Sequence, residues 1–122
     1  MRILFVCVGN SCRSQMAEGW ARHLGLEAAS AGTRPETEVA ALAITVMGEV
    51  GIDISSQSPS HANEQQADQF DQVISMGCGV ECPVHLPLVA DWKLSDPYGG
   101  DIEEYRNCRD AIATRVRGLV KQ

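Results

Sequence analysis

The hydrophobic pattern opens with a short apolar run at residues 3–6, which is typical of a buried strand. Apolar residues then recur at helical spacing over 16–24, and Gly25 ends this predicted helix. A short second strand is predicted at 27–31, and a second helical stripe covers 39–50. The first half of the chain therefore alternates strand, helix, strand and helix.

A polar connector at residues 52–60 follows the second helical stripe. Ser58 and Pro59 are a common helix start, because serine caps the first amides and proline fits the first turn. We therefore predict a short polar helix that ends at about Ala67. His61 lies in this polar stretch without an acidic or cysteine partner at helical spacing, so we expect a surface residue rather than a ligand.

Two further strands are predicted at 72–76 and 88–92, followed by a long final helix. Asp101 and Glu104 have the spacing of a capping box at its start. The predicted buried face of this helix consists of Ile102, Tyr105, Ile112, Val116 and Leu119. Strands that alternate with helices favour a parallel sheet with right-handed crossovers. We predict one α/β domain over 1–122, with a doubly wound, four-stranded parallel sheet flanked by helices.

The nonapeptide 6–14, Val-Cys-Val-Gly-Asn-Ser-Cys-Arg-Ser, joins the first strand to the first helix. Open α/β sheets bind ligands at such junctions, and the free amides of a helix start attract anions. Gly9 lets the backbone bend around a bound oxyanion. The helix end and the Arg13 guanidinium favour the thiolate form of a cysteine at position 7. Arg13 can also hold two oxygens of a tetrahedral anion in its planar fork.

The junction therefore predicts a nucleophilic Cys7 surrounded by an oxyanion-binding loop. The residues predicted to bind the oxyanion are Val8, Gly9, Asn10, Ser11, Cys12, Arg13 and Ser14. The alternative is a buried structural cysteine beside an exposed arginine. The strand before the pair, the glycine within it and the helix after it disfavour that alternative.

Composition limits the possible partners of this site. The 122 residues carry a formal net charge of −6, which argues against nonspecific binding to nucleic acid or anionic membranes. No apolar stretch approaches the about 20 residues of a membrane-spanning helix, and the chain enters a strand pattern directly, without a signal peptide. We expect a cytoplasmic monomer whose first loop attracts an anionic substrate locally.

The five cysteines lie at positions 7, 12, 78, 82 and 108. An odd number without a secretory signal favours thiol chemistry or metal binding over a structural disulfide framework. Cys78 and Cys82 follow the third strand, so we expect them at the sheet edge that carries Cys7. They have three possible interpretations: a redox-active pair, a zinc site that lacks a second ligand pair, or inert buried thiols. The shared edge favours the redox pair, because thiol exchange requires one sulfur to reach another.

Residues 6–18, together with Trp20, resemble the phosphate-binding loop and first helix of the low-molecular-weight tyrosine phosphatase superfamily. Within that superfamily, the run 9–20 is more similar to the thioredoxin-coupled arsenate reductases. The resemblance implies a low-molecular-weight phosphatase-like fold and reduction of arsenate to arsenite. Phosphate or sulfate would act as a substrate mimic, and no cofactor is implied.

Three cysteines act in sequence in the resembled reductases, and by position they are Cys7, Cys78 and Cys82 here. The resemblance implies that Cys78 attacks Cys7 after arsenate has reacted, and that Cys82 then forms a disulfide that thioredoxin reduces. The last two cysteines are closer together than is usual in the family, so a glutaredoxin or a low-molecular-weight thiol stays open as reductant. The alternative functions are a low-molecular-weight protein tyrosine phosphatase and a redox-sensing, oxyanion-binding module. Cys12 is expected to be structural or a site of unwanted oxidation, and Cys108 is expected to belong to the core.

Asp96 and Pro97 resemble the family's general-acid segment, although an aspartate before proline is also a common turn. Some members hold a potassium ion at positions that match Asn10, Glu18 and Ser30.

Two other potassium-site positions differ, because Ser60 stands where those members have an aspartate and Gln57 where they have a histidine. A hard cation loses much of its attraction when one carboxylate is missing, so we do not predict a bound metal.

Overall fold

The computed structural model describes residues 1–77 and 90–120. Its strands are β1 (Arg2–Cys7), β2 (Glu27–Gly32), β3 (Gln72–Ser75) and β4 (Ala90–Asp91), and its helices are α1 (Arg13–His23), α2 (Ala41–Glu49) and α3 (Ile102–Val120). The four strands pair in parallel in the order β2-β1-β3-β4. This arrangement confirms the predicted α/β fold with a four-stranded parallel sheet.

The position of β1 in the sheet determines where a ligand can bind. β1 pairs with β2 on one side and with β3 on the other. The connection after β1 therefore leads to one side of β1, and the connection after β2 leads back past β1 to its other side. In open parallel sheets this reversal creates a crevice at the carboxyl ends of the strands. Cys7 is the last residue of β1 and therefore lies at this crevice.

The two faces of the sheet are covered by different parts of the chain. Ile3 and Phe5 belong to the main core cluster, which contains buried side chains of all three helices. Leu4 and Val6 alternate with them, as strand geometry requires, and pack on the opposite face. Their cluster includes Ala62, Val73 and the partly buried Phe70. β1 is thus buried on both faces, which explains its continuous apolar sequence.

The polar helix predicted from Pro59 to about Ala67 is wrong. The chain is still extended at His61, which forms a parallel bridge with Gly32, and the Gly32 N–H donates to the Ser60 carbonyl at 2.8 Å. Only short 3-10 turns follow, at Ala62–Glu64 and Ala67–Gln69. Backbone pairing with β2 therefore outweighs the local capping signal.

The final helix agrees with the sequence pattern. The Glu104 N–H donates to Asp101 Oδ1 at 3.0 Å at the start of α3. Four of the five predicted core residues are buried, Cys108 is buried with them, and Ile102 is partly buried.

β4 lies within the strand predicted at 88–92, although residues 88 and 89 fall outside the described ranges. Of the helices in those ranges, none has the length and apolarity needed to cross a membrane.

Gly19 is a point of close packing in the middle of α1. A Cβ at this position would lie 2.6 Å from Ile54 Cγ2 and 3.1 Å from Met47 Cε. We expect Gly19→Ala to destabilise the fold by about 1–3 kcal/mol through overpacking, although alanine favours helix by about 1 kcal/mol. Gly118→Ala in α3 is the matched control, because a Cβ there meets no described atom within 4 Å, and it should be stabilising. Urea unfolding measures both variants, and a Gly19→Ala protein as stable as the parent would contradict this packing.

Candidate active site

The candidate active site is a cavity of about 310 Å³ at the carboxyl end of β1. Its lining consists of Cys7, Val8, Gly9, Asn10, Ser11, Cys12, Arg13, Arg34, Glu36, Asp96 and Tyr98. Cys7 and Arg13 come from one short junction, and the fold brings Asp96, which is distant in the sequence, to the same cavity. Ser14 lies just behind the lining, where its hydroxyl oxygen is 2.8 Å from Cys7 Sγ.

The carbonyl groups of residues 7–12 all accept hydrogen bonds from outside the cavity. The donors, in the order of the acceptors, are Thr33 N–H, Arg34 N–H, Glu36 N–H, the Gln15 side chain, Ala40 N–H and Met16 N–H, at 2.8–3.1 Å. In a trans peptide unit the C=O and the following N–H point in opposite directions. The amides of residues 8–13 are therefore directed toward the cavity, where successive amides form an anion-binding nest.

Asn10 fixes the bend of this loop. It is fully buried and has a φ of 49°, a left-handed conformation that asparagine adopts more readily than most residues. Its side-chain amide donates to Ser14 Oγ at 2.6 Å, and its Oδ1 accepts the Ser60 N–H at 2.9 Å. Asn10 therefore connects the loop to both α1 and the polar connector.

Cys7 Sγ is held by two polar groups of the same loop. The Asn10 N–H donates to the sulfur at 3.2 Å, and the Ser14 hydroxyl is 2.8 Å away. Ser14 Oγ already accepts from the Asn10 side chain, which leaves its own hydrogen for the sulfur. Both contacts can stabilise a thiolate.

Arg13 links the loop to two other segments. Its side chain is only 6% exposed, and Nη1 donates to the Met76 and Leu94 carbonyls, each at 2.9 Å. Since both hydrogens of Nη1 are used in this way, the remaining guanidinium donors are the ones available to an oxyanion. Nη2 lies 3.6 Å from Asp96 Oδ2.

Asp96 lies at the mouth of the cavity. Half of its side chain is exposed, and its Oδ1 accepts the Tyr98 N–H at 3.0 Å in a turn that contains Pro97. The carboxylate is thus held within reach of both solvent and the oxyanion loop, a position suited to proton transfer.

The other described cysteines have environments that disfavour reaction. Cys12 is buried with its sulfur 3.4 Å from the Tyr105 hydroxyl, and burial raises the pKa of its thiol. Burial raises the pKa of the Cys108 thiol to about 12. Both thiols are therefore protonated and poorly nucleophilic near neutral pH. Cys78 and Cys82 lie outside the described residues, so their roles remain predictions.

Sequence reasoning missed three contributors to the cavity and its support. Arg34 and Glu36 follow β2, which ends at the same edge of the sheet as β1. Their position after a parallel strand could have identified them as residues near Cys7. Gln15 is fully buried under the loop, where its Nε2 donates to the Asn10 and Ser58 carbonyls at 3.0 and 3.1 Å.

Glu18 and Ser30, which match potassium-site positions in the resembled family, bond to each other here. Ser30 Oγ donates to Glu18 Oε1 at 2.6 Å, and Arg22 Nη2 lies 3.0 Å from Oε2. Burial nevertheless raises the pKa of the Glu18 carboxyl above its ordinary value.

This raised pKa predicts a pH dependence of stability. The contribution of Glu18 to the free energy of unfolding is fully present below its unfolded-state pKa and is lost as the pH rises through its folded-state pKa. We expect Glu18→Gln, which keeps an oxygen acceptor for Ser30 but does not ionise, to show a smaller loss of stability as the pH rises above the ordinary pKa of a glutamate, about 4.3. Urea unfolding at a series of pH values measures this, and identical slopes for parent and variant would contradict it.

Comparisons with known proteins agree with this fold and cavity. Residues 2–81 match the family described as low molecular weight phosphotyrosine protein phosphatase. The glutaredoxin arsenate reductase of Synechocystis sp. is 43% identical, with 98% of this chain and 95% of the relative aligned. A solved arsenate reductase in the phosphate binding state has a TM-score of 0.90 at 42% identity, over 98% of this chain and 96% of that one. An arginine phosphatase from Geobacillus stearothermophilus has a TM-score of 0.83 at 30% identity, over 98% and 90%. The chain therefore belongs to the low-molecular-weight phosphotyrosine protein phosphatase family.

Proposed function

We propose that this protein is an arsenate reductase, with Cys7 as the attacking thiolate. The observation that carries the proposal is the position of Cys7 Sγ in a cavity toward which the amides of residues 8–13 are directed. Relatives named arsenate reductase that align with nearly the whole chain support it. Arsenate and phosphate share shape and charge, so the phosphate-bound state of the solved relative is consistent with the same use of this loop.

The first step is attack of the Cys7 thiolate on arsenic. The loop amides and Arg13 hold the arsenate oxygens and stabilise the negative charge that develops on them. Asp96 protonates the departing hydroxide, which leaves as water. The product is a covalent bond between Cys7 sulfur and pentavalent arsenic.

The second step transfers two electrons to arsenic. The Cys78 thiolate attacks Cys7 sulfur, the sulfur–arsenic bond breaks with its electron pair on arsenic, and arsenite leaves. Cys82 then attacks the Cys78 sulfur of the Cys7–Cys78 disulfide, which forms Cys78–Cys82 and releases the Cys7 thiolate. Met76, two residues before Cys78 in the sequence, lies beside the active site, since its carbonyl accepts a hydrogen bond from Arg13 at 2.9 Å, and this supports a role for Cys78.

The reductant that regenerates the enzyme is proposed to be a thiol protein. The similarity of residues 9–20 to the thioredoxin-coupled arsenate reductases favours thioredoxin. The name of the Synechocystis relative favours glutaredoxin. Two assays of arsenate-dependent NADPH consumption distinguish these reductants. One assay contains thioredoxin and thioredoxin reductase, and the other contains glutaredoxin, glutathione and glutathione reductase. A cytoplasmic, monomeric protein stays a prediction of the sequence.

Mapping of disulfides by mass spectrometry after one arsenate turnover without reductant tests the function. We expect Cys78–Cys82 in the parent protein and a trapped Cys7–Cys78 bond in the Cys82→Ser variant. Unreduced arsenate with all thiols intact would overturn the proposal.

A protein phosphatase is the second candidate function. The same loop and the Asp96-Pro97 segment suit phosphate-ester hydrolysis, and the chain is similar to a solved arginine phosphatase. Rapid hydrolysis of an aryl phosphate that survives Cys78→Ser and Cys82→Ser, without arsenate reduction, would favour this candidate.

A further inference from the structure

The turn at Gly77 lies against the guanidinium of Arg13. A Cβ added to Gly77 would be 3.3 Å from Arg13 Nη1, and it would be 3.4 Å from both the Leu94 carbonyl oxygen and Lys93 Cα. These separations are shorter than the about 3.5–4.0 Å at which nonbonded carbon atoms attract each other best. The space beside Arg13 Nη1 therefore stays open only because residue 77 has no side chain.

The backbone at Gly77 is also fixed in a conformation that other residues avoid. Its φ is 116°, which glycine adopts at little cost because it has no Cβ. The Gly77 N–H donates to Ser75 Oγ at 3.0 Å, and the preceding Met76 carbonyl accepts the Leu94 N–H at 3.1 Å. Moving residue 77 away from Arg13 would strain these two hydrogen bonds.

The position of Arg13 depends on the space at residue 77. Nη1 donates to the Met76 and Leu94 carbonyls, each at 2.9 Å, so it lies between the residue before Gly77 and the segment that follows β4. Because the guanidinium is planar and rigid, fixing Nη1 between two carbonyls also fixes the directions of its other donors. A side chain at residue 77 would push Nη1 away from both carbonyls.

The same arrangement sets the distance between the arginine and the candidate proton donor. Leu94 lies two residues before Asp96 in the sequence, and Asp96 Oδ2 is 3.6 Å from Arg13 Nη2. Nη1 thus holds the segment that carries the acid, while Nη2 of the same planar group lies toward its carboxylate. A shift of Nη1 would therefore displace the oxyanion donors and the acid relative to each other, and errors of about 1 Å can slow a reaction by about 10²-fold.

We propose that Gly77 is a positioning residue of the active site and acts through Arg13. Gly77 is not among the residues that line the oxyanion cavity, so its contribution is the space that it leaves for Nη1. The guanidinium then keeps one orientation toward both the cavity and Asp96. The effect of Gly77 on turnover rests on the proposed arsenate reduction, whereas its effect on anion binding does not.

The variant Gly77→Ala tests this role. We expect the Kd for inorganic phosphate, measured by titration calorimetry, to rise about tenfold, because a displaced guanidinium loses a charge-assisted hydrogen bond to the anion. We also expect the single-turnover rate of arsenite formation at saturating arsenate to fall about tenfold, because Asp96 is displaced. A parental Kd together with a parental rate would overturn the proposal.

Gly25→Ala is the matched control for backbone strain. Gly25 has a φ of 91°, but a Cβ there would meet no described atom within 4 Å, and the residue follows α1 outside the oxyanion cavity. Thermal unfolding should show that both variants are folded and less stable than the parent. Only Gly77→Ala should change the phosphate Kd and the single-turnover rate. Equal changes in both variants would show that lost stability explains the effect, and the proposal would be wrong.

A double-mutant cycle with Arg13→Lys shows whether Gly77 acts through the guanidinium. Lysine has no Nη1, so a methyl group at residue 77 has nothing to displace in this background. We expect the fold-increase in phosphate Kd caused by Gly77→Ala to be at least about fivefold smaller in Arg13→Lys than in the parent. A smaller difference would overturn the proposal. If Gly77→Ala does not fold alone, it should fold in the Arg13→Lys background, and failure in both backgrounds would also overturn the proposal.

Arsenate turnover by the parent protein separates the role of Gly77 from the proposed function. If the parent does not reduce arsenate but the phosphate affinities show the coupling to Arg13, the function is wrong and the role of Gly77 stands. If the parent reduces arsenate while the two substitutions have independent effects on phosphate binding, the function stands and the role of Gly77 is wrong.

Discussion

Replacing Cys7 with serine is expected to abolish arsenate reduction, with a loss on the order of 10⁴-fold or more. A hydroxyl is not ionised near neutral pH and cannot form the sulfur–arsenic bond or the disulfide that follows. Phosphate binding should persist in Cys7→Ser, because the amides of residues 8–13 and Arg13 hold the oxygens. Steady-state turnover measures the first effect, and titration calorimetry with phosphate measures the second.

Cys108→Ser is the matched control for this experiment. Cys108 is buried in α3, lies outside the lining of the oxyanion cavity and has a strongly raised pKa. The same chemical substitution there should leave turnover close to that of the parent. If Cys7→Ser kept activity while Cys108→Ser lost it, the nucleophile would be misassigned.

Arg13→Lys is expected to lower kcat/KM for arsenate by about 10²–10³-fold. A lysine keeps the positive charge but has one donor nitrogen, which cannot bind the Met76 and Leu94 carbonyls and also hold two oxygens of the substrate. The loss should therefore include weaker phosphate binding and a displaced Asp96, whose Oδ2 is 3.6 Å from Arg13 Nη2.

The effect of Arg13→Lys is checked by kcat/KM with reductant in excess and by the Kd for phosphate. Arg115→Lys, an exposed substitution of the same kind on α3, should change neither quantity. If Arg13→Lys retained most of its kcat/KM, charge alone would explain the role of Arg13, and the fork geometry would be irrelevant.

The predicted parts of the fold are those encoded by local periodicity. The apolar run 3–6 predicts the central strand because both of its faces are buried, and the stripe 16–24 predicts α1 except for its first turn. α1 begins at Arg13 because the oxyanion loop ends there, and no apolar residue marks that turn. Cys7 and Arg13 were identifiable as candidate site residues because one short junction contains both.

The parts that could not be predicted depend on contacts between distant segments. The extended conformation at Ser60 and His61 arises from pairing with Gly32, which no local pattern reports. Arg34 enters the cavity because its N–H bonds to the Val8 carbonyl, a contact that requires β2 to lie beside β1. Neither feature is visible until the order of the strands is known.

The outward carbonyls of the oxyanion loop have a thermodynamic consequence. They are anchored by the segment that follows β2, by Ala40 before α2, and by the Gln15 side chain and the Met16 N–H of α1, so the loop keeps its shape only when these elements are assembled. An oxyanion should therefore bind the folded protein and not the unfolded chain. Because such a ligand stabilises the folded state, the melting temperature should rise with anion concentration. The melting temperature, measured by calorimetry at increasing phosphate concentrations, would therefore report how fully the loop is occupied. This holds even for variants that no longer turn over arsenate.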